Sequence, residues 1–381
     1  MLTNPTISTW SSLVAPPRGE LFGKALAHWR ASARKTLGLP DKPIIVVGHQ
    51  PEFFHPGILA KFVAASQVAK QIDGALVHLV VDHHIGNSGV IEVPDETGRY
   101  LSTKHLVVAK VETHIAMKDQ LRVSPNYDNI FSKALANASG DNAAMQFANA
   151  TDDLMKPWAN IDYCIAASSL LQTEFGEAIV KEMRKNPEAC ITAYNNAVSR
   201  FSECDISILD KNELPLWNGK TNDIVTSKFD DLRPRALLLT LLARVLLGDL
   251  FVHGTGGYTY DKVMECWLSE WLHIKPCAMT MATATIFLPL QVQTIKQARR
   301  DYFSIPKHLL DAINDAPYGS SKRKLYYLAM HKWLEEKGTK PNIKALKIAK
   351  QIATRRDWAF SLYGDLLTKD FGVAKSAEAS L

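Results

Sequence analysis

The sequence predicts an α/β protein: a mostly parallel sheet carrying a helical insertion and a helical C-terminal region. Three observations lead there. Short β-branched runs at Ile44–Val47 and Leu76–Val81 have the length and composition of strands buried on both faces. Between them, Ile58, Leu59, Phe62, Val63 and Val68 recur at helical spacing, so residues 44–84 read as strand, loop, helix, strand. Later in the chain Asp249–His253, a short apolar strand, runs into Gly254, Thr255, Gly256 and Gly257 and then a helical pattern near Thr259–Trp271.

The bulk numbers narrow the class. The chain has 381 residues, 46% hydrophobic and 22% charged, enough for a sizeable core. A net charge of +5 suits anionic small molecules without requiring nucleic acid, which is not expected as a partner. Cys164, Cys190, Cys204, Cys266 and Cys277 are odd in number and lack CxxC spacing, so reduced thiols in a cytoplasmic protein are expected, with no disulfide framework. No signal peptide is evident. The apolar run Ala236–Leu247 is too short to span a bilayer and contains Arg244, so it reads as a buried helix with no membrane role.

Taken in order, residues 1–42 form an arm, irregular over Thr3–Pro17 and helical over Glu20–Leu37. Residues 43–125 hold the first half of the core, with further strands at Val90–Val93 and His105–Val111 about a turn at Asp95–Gly98. Residues 126–205 are Ala-, Asn- and Glu-rich and read as a helical insertion with a loop tip at Asn137–Asn142. Residues 206–290 return to the core: strands at Ile206–Leu209 and Leu214–Trp217, a helix opened by Leu232–Arg235, then the glycine-rich passage, and a strand over Met279–Leu290. Residues 291–381 are helical and basic, with helices beginning at Ser320–Lys324 and spanning Asn342–Ala353.

Several constellations bear chemistry, each with a purely structural alternative. Gly48, His49 and Gln50 leave the first strand directly and face the crevice where open sheets bind ligands. His55, Pro56 and Gly57 open the first helix; an imidazole and a glycine there suit phosphate, although a plain helix cap explains them equally. Asp82, His83 and His84 end the second strand and suit acid/base chemistry, a cation shared with His49 or His253, or a hydrogen-bonded cluster. His253, Gly254, Gly256 and Gly257 suit a phosphate cradle, with Tyr260 and Asp261 lining it, or a tight turn. Arg233 and Arg235 suit a carboxylate or phosphate grip, or pairing with surface acids.

His55–Gly57 resembles the HxGH signature of nucleotide-activating Rossmann folds, with Ile58 in place of the second histidine. Taken with VDHH, LRPRAL and LFVHGTGGYTYDKV, the GHQPEFFHPG block resembles a group of bacterial proteins and, more distantly, the bacillithiol-biosynthesis cysteine-adding enzymes, putative cysteine ligases. Gly48, His49, Gln50 and Phe54 stand at the positions of that family's GQQ…F.TGP block. Asp82 and His83 match its EDHD-type strand end, and Leu232, Arg233 and Pro234 its LRP segment. The likeness spans about half the chain, in blocks, and lacks the family's coiled coil. It implies a Rossmann-like core, a nucleotide in the crevice and addition of cysteine to a glucosaminyl-malate acceptor.

The expected function is therefore an ATP-dependent, ligase-like enzyme joining a small amino acid or amine to a small acceptor, with ATP or ADP and Mg as cofactor. Phosphates are expected at Gly48, Gln50, His55, Gly57 and the His253–Gly257 passage. Asp82, His83 and His49 are the expected catalytic groups, and Arg233, Tyr260 and Asp261 the substrate contacts. A metal-dependent hydrolase built on Asp82, His83, His84 and His253 is the alternative, and a non-catalytic nucleotide-binding protein a third.

Overall fold

Ile44–His49 (β4) and Ala75–Val80 (β5) are strands because their runs of apolar residues are buried on both faces; every residue of β5 is buried. The computed structural model describes residues 1–95, 102–125, 127–219, 231–284 and 305–336. Among these, residues 1–90 with 107–284 form one compact unit, and residues 91–106 with 305–336 a second. The expected first half of the core up to residue 90, the insertion and the described part of 206–284 thus share one unit.

That unit is a mixed α/β fold on a six-stranded sheet in the order β1-β12-β11-β4-β5-β8. Here β1 is Leu2–Asn4, β8 is Tyr163–Ala166, β11 is Leu250–His253 and β12 is Ala278–Thr283. All neighbours run parallel except β1, which pairs antiparallel to β12. One face is covered by the helices Pro56–Gln71 (α3) and Ala143–Met155 (α5). On the other, Ile44, Val46, Val77, Leu79 and Phe251 pack into a core with Leu26–Thr36 (α2), Glu174–Lys185 (α6), Pro187–Arg200 (α7), Ala236–Leu242 (α8) and Thr255–Leu272 (α9). Each fully buried Val, Leu or Ile in that core contributes about 1.5–3 kcal/mol relative to exposure.

The pattern holds where it is local. α3 starts at Pro56 as its missing N–H allows, and Leu237–Leu247 is buried throughout, its second half turning π-helical at Ala243–Leu247. Asn142 caps α5 just after the expected loop tip. Several expectations are corrected. Thr3–Pro17 is not wholly irregular, since Thr3 and Asn4 pair with β12. The helix expected from Glu20 begins at Leu26, because Glu20–Leu21 (β2) and Lys24–Ala25 (β3) form a small hairpin turned by Gly23 at φ +74°. The insertion is not purely helical, since β8 extends the sheet beside β5.

Ile206–Leu209 is not a strand, and Leu216–Asn218 (β9) does not rejoin the main sheet. It pairs antiparallel with Leu232–Pro234 (β10), so the LRP segment is a strand rather than the helix opening expected of it. Pro234 closes the pairing and Arg235 leads into α8. The glycine-rich passage is no loop: Gly254 is the N-cap of α9, and Gly256 and Gly257 lie in its first turn. The expected strand from Met279 is β12 up to Thr283; its remainder over 285–290, the turn at 96–98 and the helix over 342–353 lie outside the described residues.

In the second unit, Val90–Asp95 (β6, its first residue in the other unit) and Ser102–Val107 (β7) form a two-stranded sheet, and helices span Lys307–Asp315 and Ser321–Glu336. Among the described residues no helix is long and apolar enough to cross a membrane.

Candidate functional site

From β4 the chain builds outward through β5 to β8, then crosses to the other side of β4 for β11 and β12. The connections therefore diverge between β4 and β11. At such a switch point of a Rossmann-like sheet, a crevice opens beyond the carboxyl ends of the strands. Gly48 and His49 end β4 there, His253 ends β11, and the N-termini of α3 and α9 follow each strand.

One more residue lies beside these strand ends, and the sequence pattern did not single it out. Lys61, on the sheet-facing side of α3, is 4% exposed. Its Nζ donates to the Gly48 carbonyl at 2.8 Å, and a Cβ at Gly254 would lie 3.8 Å from its Cδ. Burial lowers its pKa to about 7; among the described residues the site supplies a carbonyl but no carboxylate contact. A lone lysine in the apolar stretch ILAKFV was the available signal.

Around Lys61 the titratable groups are mostly bases. His49 packs edge-on against Phe54, 4.9 Å between centroids, with its Nε2 3.2 Å from Glu52 Oε1 but not aligned as a hydrogen bond. Its pKa falls well below the ordinary histidine value, first through burial, then through Lys61, His78, His55 and His84. His84 is lowered too, by burial, with Glu52 opposing and His83 adding to the fall. Glu52, at the rim, is raised by burial, against the pull of His84 and His55. The imidazoles of His49 and His84 are thus held toward their neutral forms, with Glu52 the acid beside them at the rim.

The structure places the other expected residues as follows. His55 is the N-cap of α3: the Gly57 N–H donates to its Nδ1 at 3.0 Å. The cap explanation therefore holds for that nitrogen, and Gly57 is required there because a Cβ would lie 2.8 Å from the His55 ring. Gln50 is half-buried just beyond β4, and Gly48 contributes its carbonyl to Lys61. The first turn of α9 has no side-chain cap, and Gly256 faces open space. Gly257 instead makes room for His253, whose Nδ1 lies 2.5 Å from where its Cβ would be.

Asp82 is 2% exposed and clamped rather than free. Ser168 Oγ donates to Oδ2 at 2.5 Å and Ser168 N–H to Oδ1 at 2.9 Å, joining the end of β5 to the residues after β8. Burial alone would raise its carboxyl, yet hydrogen bonds from His83 and Ser168 outweigh it and hold the pKa below the ordinary value. His83 Nδ1 lies 3.5 Å from Asp82 Oδ1. Asp82 is thus an ionised anchor whose lone pairs are engaged. It is poorly placed to take a proton from a substrate, and its removal would disturb folding, contrary to the expected free base.

Three expected substrate contacts are committed elsewhere. Asp261 is fully buried, receiving Thr240 Oγ1 at 2.5 Å and Arg244 at 2.5 Å, with His253 Nε2 at 2.9 Å. Tyr260 is half-buried against the core, its phenol pushed up to about 12 by burial and Asp261. Arg233 is 2% exposed and paired with Asp119 and, at 3.7 Å, Asp231. Arg235 pairs with Glu213 and stacks over Trp217 at 4.9 Å. His253 turns into the Asp261 network, so it does not join Asp82, His83 and His84 in the expected metal site; among the described residues those four form no ligand cluster.

No protein-family model matches the chain, and no curated protein matches its sequence. Among solved structures it is similar to the tyrosyl-tRNA synthetase of Archaeoglobus fulgidus, solved with L-tyrosine: 12% identity, 98% of each chain covered, TM-score 0.33. It is also similar to the tryptophanyl-tRNA synthetase of Plasmodium falciparum: 11% identity, 93% of this chain and 89% of that one covered, TM-score 0.28. At such scores neither activity nor partner carries over.

Proposed function

We propose that the crevice between β4 and β11 binds the phosphates of a nucleotide, and that the protein is an ATP-dependent, ligase-like enzyme joining a small amino acid or amine to a small acceptor. One observation carries the reading: Lys61, buried beside the switch point, donates to the Gly48 carbonyl and has no carboxylate partner among the described residues. A buried cation of this kind costs stability unless a ligand supplies the opposite charge. Phosphate oxygens against Lys61 and the uncapped first turn of α9 would supply it.

In this reading a carboxylate is activated by phosphoryl or adenylyl transfer from ATP, and the amine displaces the phosphorus-bearing leaving group. Lys61 balances the charge that accumulates on the phosphates. His49, held neutral at pH 7, accepts the proton lost by the attacking amine. Mg, when bound with the nucleotide, would neutralise phosphate charge, with Glu52 at the rim the carboxylate able to hold it. Cysteine as the amine, suggested by the GHQPEFFHPG and VDHH blocks, is the narrower form of the proposal.

Calorimetric titration with ATP, ADP and AMP, with and without Mg, tests it on the wild type and Lys61→Met. Binding that weakens about tenfold or more in the folded variant supports the reading, the loss expected for a charge-assisted bond. Absence of binding, or equal affinity in both proteins, overturns it.

A further inference from the structure

Away from the switch point, on the sheet face covered by α3 and α5, a second polar cluster interrupts the apolar packing. His78 lies within β5 and pairs in parallel register with Cys164 of β8, which sets the two side chains next to each other on one face. α5 supplies Asp152, with Oδ1 2.7 Å from His78 Nδ1 and a hydrogen bond to the Cys164 thiol. One ligand atom from each of the three residues lies within 4.8 Å of the other two. The geometry points to a divalent-cation site of the zinc class, held by His78 Nδ1, the Asp152 carboxylate and the Cys164 thiolate, with a fourth position for water.

The donor set selects the ion. A thiolate and an imidazole disfavour Mg and Ca and suit Zn, while three protein ligands leave the fourth tetrahedral position open. Bonds of about 2.0–2.3 Å put ligand atoms about 3.3–3.7 Å apart around tetrahedral zinc. The His78–Asp152 pair need therefore open only slightly, and the thiol close in, for an ion to enter.

Charge favours it as well. The Asp152 side chain is 13% exposed, and among the described residues its contacts are an imidazole and a thiol; the neighbouring Lys156 forms its ion pair with Asp153 and acts on Asp152 only beyond ion-pair distance. Burial and the Asp152 carboxylate push the Cys164 thiol far above its ordinary value, so without a cation it stays protonated. A divalent ion reverses that balance. On binding, the Cys164 proton leaves to solvent, and the His78 ring proton resides on Nε2, a buried atom with no hydrogen-bond partner among the described residues. Nothing is oxidised or reduced. The ion would tie the sheet edge at β8 to β5 and α5, independently of nucleotide binding.

The test uses the full chain stripped with chelator, then titrated with Zn²⁺ against a chromophoric competitor and with Co²⁺ by absorption. One equivalent is expected, with a thiolate-to-cobalt charge-transfer band that disappears in Cys164→Ser. Affinity should fall at least about tenfold in Cys164→Ser and Asp152→Asn and stay unchanged in Cys266→Ser, a thiol lying elsewhere beside Arg200. Because a buried variant can misfold, the wild type is also alkylated with and without Zn²⁺ and mapped by mass spectrometry. Protection confined to Cys164 supports the site. No zinc binding by the wild type, binding that survives Cys164→Ser, or no protection of Cys164 overturns it.

Discussion

The two ends of the parallel sheet both bury charge, and they treat it differently. At the amino ends, Asp249 accepts from Arg30 at 2.6 Å, Arg34 at 2.8 Å and the Ile44 N–H at 2.7 Å. Arg30 also donates to the carbonyls of Val245 and Gly248. Burial lowers Arg30 to about 10 while Asp249 opposes the fall, so the guanidinium stays charged at neutral pH. At the carboxyl ends, among the described residues, Lys61 meets a single carbonyl and His49 Nε2 has no hydrogen-bond partner. Partners within the chain close the amino-end charges and, at the carboxyl ends, Asp82 as well, whereas Lys61 meets no carboxylate among the described residues. Buried charge closed by complementary groups is architecture; buried charge without a counter-ion marks a site.

The largest effect that would break this contrast comes from Asp249→Ala. Removing the shared acceptor strands two buried guanidinium groups, and urea denaturation should show a loss of about 3–5 kcal/mol. Nucleotide affinity of the remaining folded protein should not change. An undiminished unfolding midpoint would mean that the amino-end network is no more structural than the carboxyl-end cluster.

Lys61→Met should act in the opposite direction. With a native pKa of about 7, below its unfolded value, Lys61 burdens the fold fully below pH 7 and less as pH rises toward about 10.5. Wild-type stability should therefore climb relative to the variant between those limits, as followed by thermal unfolding at several pH values. Nucleotide binding near pH 8 should take up protons in the wild type and fewer in the variant, read from calorimetry in buffers of different ionisation enthalpy.

Ser168→Ala is smaller, about 1–2 kcal/mol, since it removes one bond to a buried carboxylate and leaves the backbone bond in place. Asp82 has a native pKa below the ordinary one, so its contribution is present above the unfolded pKa and lost as pH falls through the native value. The variant should lose less stability than the wild type on acidification over that range. The smallest effect belongs to Asp153→Asn, which breaks an exposed pair with Lys156 and should leave the thermal midpoint unmoved.

Much of the first site was legible in the sequence because its position follows from local pattern. The strand, loop, helix and strand of residues 44–84 set His49, His55 and Asp82 at strand ends and a helix start. Their chemistry was less legible. Asp82 looks like a free acid until Ser168, 86 residues later, closes on it, and Arg233 looks like an anion grip until Asp119 takes it. Lys61 was only faintly legible, because a lone lysine within an apolar helical stretch reads equally well as one whose head group reaches solvent.

From its own residues the chain determined the central βαβ unit, the proline start of α3 and the buried run at 237–247, since periodicity, β-branching and proline geometry act within a few residues. Tertiary structure alone decided the strand order that puts β4 beside β11, the pairing of His78 with Cys164, and which buried charges meet a partner. Those outcomes rest on contacts between segments far apart in sequence. A side chain's ionisation depends on what such contacts bring within a few ångströms, and no local pattern encodes that.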